Sequence, residues 1–423
     1  MTRSRRRRGL VHRTVMSVVA VAVVLGANAW VHDAGDIADA RATVAWPAAR
    51  TVIATEVPDG SESIADRSDI ADTGLDVSGD IDPVEVALED SQGALVDARW
   101  EALASMLRAS LGGNDAFAAA VVVDGEVVFE MVSGERTPGE AAVPEHRFRL
   151  ASLSKVVTAA VVMQLVQDGL VGLDEPVGQL IADHLGIGPL DTATASVTVR
   201  GLLGHTAGFG KDWSLYFSDG LDKHWRANAA AALRAGSSGS RGFSYSNTTY
   251  VVAGALVEAL TGRSYEEVVT ERLLVPLGIE GPRLGVTQAV RPGEVQHRSD
   301  THRSYMEALG PAGGWVMSAA EIAIIVDSLR TSSASWQPLS FATAAQMTAA
   351  VDASSFSHRS YGLGVMRFAD GSFGHTGTLQ QTRTVAAARP DGVTWSVLVS
   401  GSRPDSSQRL HAMMGSAVSA ALR

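Results

Sequence analysis

Apolar positions fall on different periods in different parts of the chain, and each period predicts a different kind of element. Val15 to Leu25 is an eleven-residue, almost wholly apolar stretch behind the basic run RSRRRR and ahead of GANA, where Ala27 and Ala29 supply the small residues of a cleavage site. Residues 1–29 therefore read as an export signal, by the general secretory or a twin-arginine route. The stretch is short for a bilayer span, and a retained anchor reaching Val31 is the other reading. From 30 to 94 there is no apolar period, and DIAD occurs at 36–39 and again at 69–72. This segment reads as an acidic flexible linker or pro-segment, because so little apolar surface cannot offset the entropy of ordering it.

Periodicity returns near residue 95. DARWEALASMLRASLGG has the spacing of an amphipathic helix closed by two glycines. AFAAAVVVDGEVVFEMVSG then gives two apolar runs joined by Asp124-Gly125, a tight hairpin signal. Near the other end TRTVAAARPDGVTWSVLVSG repeats the design around Pro390-Asp391-Gly392, and SSQRLHAMMGSAVSAALR predicts a closing helix. The segment between the hairpins is mainly helical. The predicted fold class is α/β of the α+β kind: one domain over 95–423, an antiparallel sheet built from both chain ends and flanked by the terminal helices. A large helical region, about 156–355, is inserted in it, and a site is expected where sheet and insert meet.

Charge and composition narrow the function. The net charge of -11 is divided unevenly, +6 up to Val31, -12 over His32 to Ala94 and -5 beyond. With the only dense basic run at the extreme N-terminus, nucleic acid is not an expected partner. A membrane is expected to be met only through residues 15–31, if they are retained. The absence of cysteine excludes disulfides, a thiol nucleophile and a lipid-modified N-terminal cysteine. Localisation is accordingly expected outside the cytoplasm: extracellular, in the cell-wall space or periplasmic, or tethered to the membrane. His297 and His302 lie in a polar loop without metal-ligand spacing, so no metal or other cofactor is expected. No G-x-S-x-G occurs, which argues against a nucleophile elbow.

The 35 basic side chains include only three lysines, Lys155, Lys211 and Lys223. Lys155 is the one charge in LASLSKVVTAAVVMQLVQ, a run whose apolar residues surround a helix on all sides and so predict burial. Three residues separate it from Ser152, which places hydroxyl and amine on one face. Burial disfavours an ammonium and leaves a neutral amine able to accept a proton; a guanidinium cannot do so. Two further stretches carry chemistry. GFSYSNTTYVVAGALVEALTG sets Tyr245, Ser246 and Asn247 ahead of an apolar helix ending at Gly262, and FGHTGTLQQ sets His375, Thr376 and Gly377 on a strand.

Ser-x-x-Lys, Tyr-x-Asn and His-Thr-Gly in that order resemble the penicillin-recognising serine hydrolases, and more narrowly the branch of class C β-lactamases, D-alanyl-D-alanine carboxypeptidases and serine esterases. VTVRGLLGHTAGFG, YEEVVTERLLVPLGI, AGGWVMSAAEIA and YGLGV share the likeness, which extends from about Val96 to Arg423. The resemblance implies a β-lactamase/transpeptidase-like fold and a covalent acyl-enzyme on Ser152. It further implies that Lys155 helps to deprotonate Ser152 and that Tyr245 is the second proton handler, as a phenolate stabilised by positive charge or as a relay to the leaving group. Asn247 would orient the substrate carbonyl side and the lysine amine. The N–H groups of Ser152 and Thr378 would form the oxyanion hole. His375, Thr376, Gly377 and Thr378 would line the substrate site. His205, in LLGHTAGFG, falls in a turn leading to the cleft.

The implied substrate is a small molecule or peptide with an amide or ester carbonyl, such as a peptidoglycan stem peptide. His375 replaces the lysine that many relatives carry, and a histidine is only partly cationic near neutral pH. This weakens the β-lactamase alternative without excluding a peptidase, since the resemblance includes peptidases with histidine there, and a carboxypeptidase or esterase is the leading expectation. Arg383 could supply the missing cation but reads more simply as a surface arginine. The reading from another class, a silent relative that binds peptidoglycan or a partner, has no use for an amine and a phenol beside a serine. Lys155→Arg, which keeps the charge and removes the titratable amine, is expected to abolish acylation of Ser152 in an intact-mass time course. Turnover at the wild-type rate would exclude Lys155 as the proton acceptor.

Overall fold

The computed structural model describes residues 51–54, 98–210, 224–298, 304–331, 337–356 and 359–423. The export signal, nearly all of the 30–94 segment and His302 lie outside the described residues.

The centre of the domain is a ten-stranded sheet. Its spatial order is Thr51–Ala54, Glu126–Thr137, Ala116–Val123, Val393–Ser400, Thr382–Ala388, Phe373–Leu379, Met366–Arg367, Arg359–Tyr361 and Asp352–Phe356, with Glu140–Ala141 paired to Glu126–Thr137. N-terminal and C-terminal hairpins meet in the middle, where Ala116–Val123 runs antiparallel to Val393–Ser400 with Val123 opposite Val393 and Ala116 opposite Ser400. The first hairpin turns through Asp124 and Gly125 at φ 50° and 85°, both in the left-handed region that a two-residue turn requires. Every residue of these two central strands is buried. Such burial on both faces explains why their sequences are continuously apolar or small.

One face of the sheet carries the terminal helices. Trp100, in the helix 98–111, stacks on Phe129 with ring centroids 5.2 Å apart, and Trp395 meets His411 of the Ser407–Ala421 helix at 5.3 Å. The opposite face supports the helical region. Its axis is the Ser154–Gln167 helix, buried from Ser154 through Leu165 as its all-round apolar sequence predicts. Beside it lies Asn247–Thr261, whose Ser246 cap accepts from Thr248 N–H and whose left-handed Gly262 ends it.

Three features depart from the sequence expectation. Thr51–Ala54, inside the segment read as flexible linker, pairs in parallel with Glu126–Thr137, from Thr51 opposite Phe129 to Ala54 opposite Val132. The run TVIA is β-branched and apolar enough to close a sheet edge, although four residues carry too little pattern to stand out from an acidic segment. The main sheet also continues through Met366–Arg367, Arg359–Tyr361 and Asp352–Phe356, strands too short to display a period. The helical region, finally, is bound to the domain by a second, three-stranded sheet of Phe148–Arg149, Trp315–Met317 and Arg283–Leu284.

His297 joins the two sheets. Its Nε2 accepts from Arg149 N–H at 3.2 Å, so Nδ1 carries the proton and faces Thr382 Oγ1 at 2.8 Å and Gln381 O at 3.1 Å. Burial, reinforced by the Arg149 charge, lowers its pKa to about 3. Between the ordinary histidine value near 6.5 and about 3 the unfolded chain therefore binds a proton that the folded chain refuses. Stability from this residue is complete above the window and falls with pH inside it, by up to ~1.4 kcal/mol per pH unit. Urea midpoints measured between pH 7 and 5 should fall more steeply for the wild type than for His297→Gln; parallel slopes would remove His297 as the cause.

Candidate active site

Ser152 sits in a single 3-10 turn, Ala151–Leu153, that runs directly into the Ser154–Gln167 helix. Ala151 is held at φ 51°, a left-handed conformation that a residue with a Cβ adopts at a cost of ~1 kcal/mol. The strand beneath stabilises it. Thr384 Oγ1 donates to Leu150 O at 2.7 Å, and Gly377 packs so closely that a Cβ there would stand 2.4 Å from Leu150 O and 3.1 Å from Ala151 Cβ. The glycine of the third motif is thus the contact that lets the Ser152 turn lie on the sheet.

Lys155 is fully buried, one turn into the helix. Its Nζ lies 2.7 Å from Asn247 Oδ1, 2.7 Å from Ala312 O and 3.1 Å from Ser152 Oγ. Asn247 Oδ1 and Ala312 O can only accept, so two N–H bonds of the amine are committed to them. In the neutral amine the remaining tetrahedral position, the lone pair, faces the Ser152 hydroxyl. Burial drives the lysine pKa well below its ordinary value, and no carboxylate among the described residues forms an ion pair with it. The rings of Tyr245 and Tyr250, with centroids 5.1 Å and 5.5 Å from Nζ, complete the enclosure, and their faces attract an ammonium without outweighing its desolvation.

Tyr245 hydrogen-bonds through its hydroxyl to the Ser152 side chain. Burial raises its pKa above the ordinary phenol value, and the Ser152 bond offsets only part of that rise. The resting site therefore holds a protonated phenol and an amine biased towards neutrality. Of the two tyrosine roles implied by the resemblance, this charge state suits the relay and not the standing phenolate.

The third motif divides between the two faces of its strand. His375 is completely buried beside Tyr245, ring centroids 6.2 Å apart. Its Nδ1 lies 2.6 Å from Thr376 O, which can only accept, so that nitrogen carries a proton; Nε2 meets Tyr361 OH at 3.1 Å. The structure thus brings Ser152, Lys155, Tyr245, Asn247, His375 and Gly377 to one place but does not turn the His375 ring to solvent. The side chains of Thr376 and Thr378 point away, to Met366 Sδ at 3.6 Å and to Ser407 Oγ at 2.8 Å on the closing helix. Arg383, opposite Thr378 in the ladder, is half-buried rather than on the surface, and its Nη1 donates to Leu379 O and Thr382 O of its own hairpin. Among the described residues no group of three or more His, Asp and Glu side chains is placed to hold a metal.

Sequence reasoning missed the Ala312 carbonyl, since a backbone acceptor has no residue-type signature. Tyr361, within the stretch YGLGV, could have been suspected as a tyrosine in a family-like segment, but its partner could not.

A serine with a buried lysine and a tyrosine at the junction of an antiparallel sheet and a helical region defines a β-lactamase/transpeptidase-like protein. Residues 103–415 match the family model described as Beta-lactamase. The chain belongs to that family of penicillin-recognising serine hydrolases. It is 36% identical over 166 residues to penicillin-binding protein 4 of Amycolatopsis lactamdurans, 38% of this chain and 42% of that one. To esterase EstB of Burkholderia gladioli it is 33% identical over 182 residues, 38% and 45% of the two chains. The chain thus spans less than half the length of these curated relatives. Among solved structures, SurE with D-Leu is 27% identical with a TM-score of 0.63, over 78% of this chain and 76% of that one. The D-amino acid amidase of Ochrobactrum anthropi SV3, 22% identical with a TM-score of 0.64 over 76% and 99%, shares the fold.

Asn247→Asp would set a carboxylate against the Lys155 amine and hold it cationic. Acylation at neutral pH is expected to fall by about a hundredfold or more, the scale of a lost general base, with activity moved to alkaline pH. Stopped-flow acylation rates across pH 6 to 10 check this; an unshifted profile would argue against a neutral Lys155.

Proposed function

We propose that the protein is an exported serine hydrolase that opens amide or ester carbonyls through an acyl-Ser152 intermediate, with carboxypeptidase-like or esterase-like specificity. The observation that carries the reading is the Lys155 amine, with two N–H bonds directed at Asn247 Oδ1 and Ala312 O and its remaining position at Ser152 Oγ. In this mechanism Lys155 takes the Ser152 proton as Oγ attacks the carbonyl. The oxyanion develops against the N–H groups of Ser152 and Thr378, and Tyr245 passes a proton to the departing amine or alcohol. Water then enters by the reverse path, hydrolyses the acyl-enzyme and restores the hydroxyl.

Substrate choice is inferred from the third motif and from the relatives. A fully buried His375, bonded at both nitrogens, is a poor anchor for a substrate carboxylate, which favours neutral esters and amides over β-lactams; the carboxypeptidase half of the description is supported instead by the similarity to a penicillin-binding protein. Similarity to a penicillin-binding protein and to an esterase supports both halves of the description. The natural partner under this proposal is a small ester or a peptidoglycan stem peptide. Export rests on the sequence of residues 1–29.

Purified protein should be mixed in parallel with a p-nitrophenyl ester, a D-alanyl-D-alanine peptide and benzylpenicillin, with Ser152→Ala as control, and followed by intact mass and product release. Ser152-dependent turnover of ester or peptide, with penicillin giving at most a slow adduct, is expected. Rapid penicillin turnover would replace this reading with a β-lactamase. An inert Ser152 towards all three would favour the silent relative.

A further inference from the structure

The Tyr245 hydroxyl meets the Ser152 side chain, so the ring has to be held at a fixed place above the Ser152 turn. The residue that holds it is His205, buried at 1% exposure and placed at φ 58° in the turn after the Val199–Leu203 helix. The backbone O of His205 accepts from Ser244 N–H at 2.8 Å, and its Nδ1 accepts from Ser246 N–H at 3.2 Å. These are the two residues that flank Tyr245. Between the two bonds the imidazole lies against the Tyr245 ring, with centroids 4.4 Å apart, and is backed by Tyr361 at 4.8 Å and Tyr250 at 5.1 Å. Ser246 is in turn fixed as the cap of the Asn247–Thr261 helix, which carries the lysine-orienting Asn247.

We propose that His205 is a positioning residue for Tyr245: a neutral imidazole, acceptor at Nδ1, that clamps Ser244 and Ser246 and fixes the phenol between them. An amide N–H can only donate, so Nδ1 presents its lone pair and the ring proton resides on Nε2. The Thr249 hydroxyl, 3.0 Å from Nδ1, also has Ser246 O at 2.9 Å to donate to, so it does not displace the Ser246 bond. The ring contacts the Tyr245 ring and the backbone on either side of it. Its effect is geometric, and a displacement of ~1 Å at a proton-transfer group costs on the order of a hundredfold in rate.

The proposal rests on Tyr245 acting as the proton relay, and the test separates the two. Three variants differ in what they offer Ser246. Asn at 205 places Oδ1 where Nδ1 accepts and tolerates the left-handed backbone. Gln extends its amide to the Nε2 position and leaves the Nδ1 position without an acceptor, and Leu fills the space without one. The rate of Ser152 labelling by a fluorophosphonate and the kcat and KM for p-nitrophenyl butyrate should be measured for each, beside Tyr245→Phe and with thermal melting of every variant.

His205→Leu and His205→Gln are expected to lose about ten- to a hundredfold in kcat with KM within about threefold, while His205→Asn stays within about threefold of wild type. A folded His205→Leu at the wild-type rate, or a folded His205→Asn as slow as His205→Leu, would overturn the positioning role alone. Wild-type turnover by Tyr245→Phe would overturn the relay and this proposal with it, and failure of the wild type to label would overturn the catalytic reading beneath both. If His205→Leu and His205→Gln do not fold, His205→Asn against Tyr245→Phe still decides: His205→Asn must be fast where Tyr245→Phe is slow.

Discussion

The structure depends on a buried amine that has no ion-pair partner among the described residues. Lys155 is surrounded by apolar helix, two tyrosine rings and three oxygen acceptors, and these neutral partners do not match the hydration that a full positive charge loses on burial. Burying an ammonium in such a place is unfavourable, and desolvation accordingly lowers the pKa of the amine well below its ordinary value. The cost of burial thereby becomes reactivity. Arginine, abundant elsewhere in the chain, has no neutral form with which to do the same.

Everything that holds the amine comes from a different part of the chain. The helix that begins with Ser154 supplies the lysine, the Asn247–Thr261 helix supplies the amide oxygen, and a 3-10 turn, Gly310–Ala312, supplies the carbonyl. The strand Phe373–Leu379 supports the serine turn through the bare backbone of Gly377. Rigid elements thus fix each group, and the strain at Ala151 is tolerated because Gly377 and Thr384 lock the residues around it.

Behind the reacting groups lies a layer of rings, His205, Tyr250, Tyr361 and His375, in contact with Tyr245 or with one another. Two of them are histidines, and each has one nitrogen role set by a backbone group. An amide N–H makes Nδ1 of His205 an acceptor, and a carbonyl makes Nδ1 of His375 a donor. The third motif's histidine consequently belongs to the packing of the site more than to its open surface.

The sequence by itself determined the elements whose signals are local. Asp124-Gly125 specifies a hairpin through its backbone conformations, and an unbroken apolar run specifies a buried helix. The solitary lysine in that run announces a buried amine, whose desolvation favours the neutral form. Lys155 was legible because an amine is unusual in an apolar run, and Ser152, Tyr245 and Asn247, which the structure brings together with it, because their ordered motifs resemble those of a known family. Only the tertiary structure decided that Ala312 contributes a carbonyl, that His205 grips both neighbours of Tyr245, that His375 turns inward to Tyr361 and that Thr51–Ala54 closes a sheet edge. Each of these is a contact between segments distant in sequence, made by a backbone atom or by a side chain that would serve as well in ordinary packing. Periodicity and residue type carry no record of such contacts, because they arise only once the sheet and helices have set the distances between them.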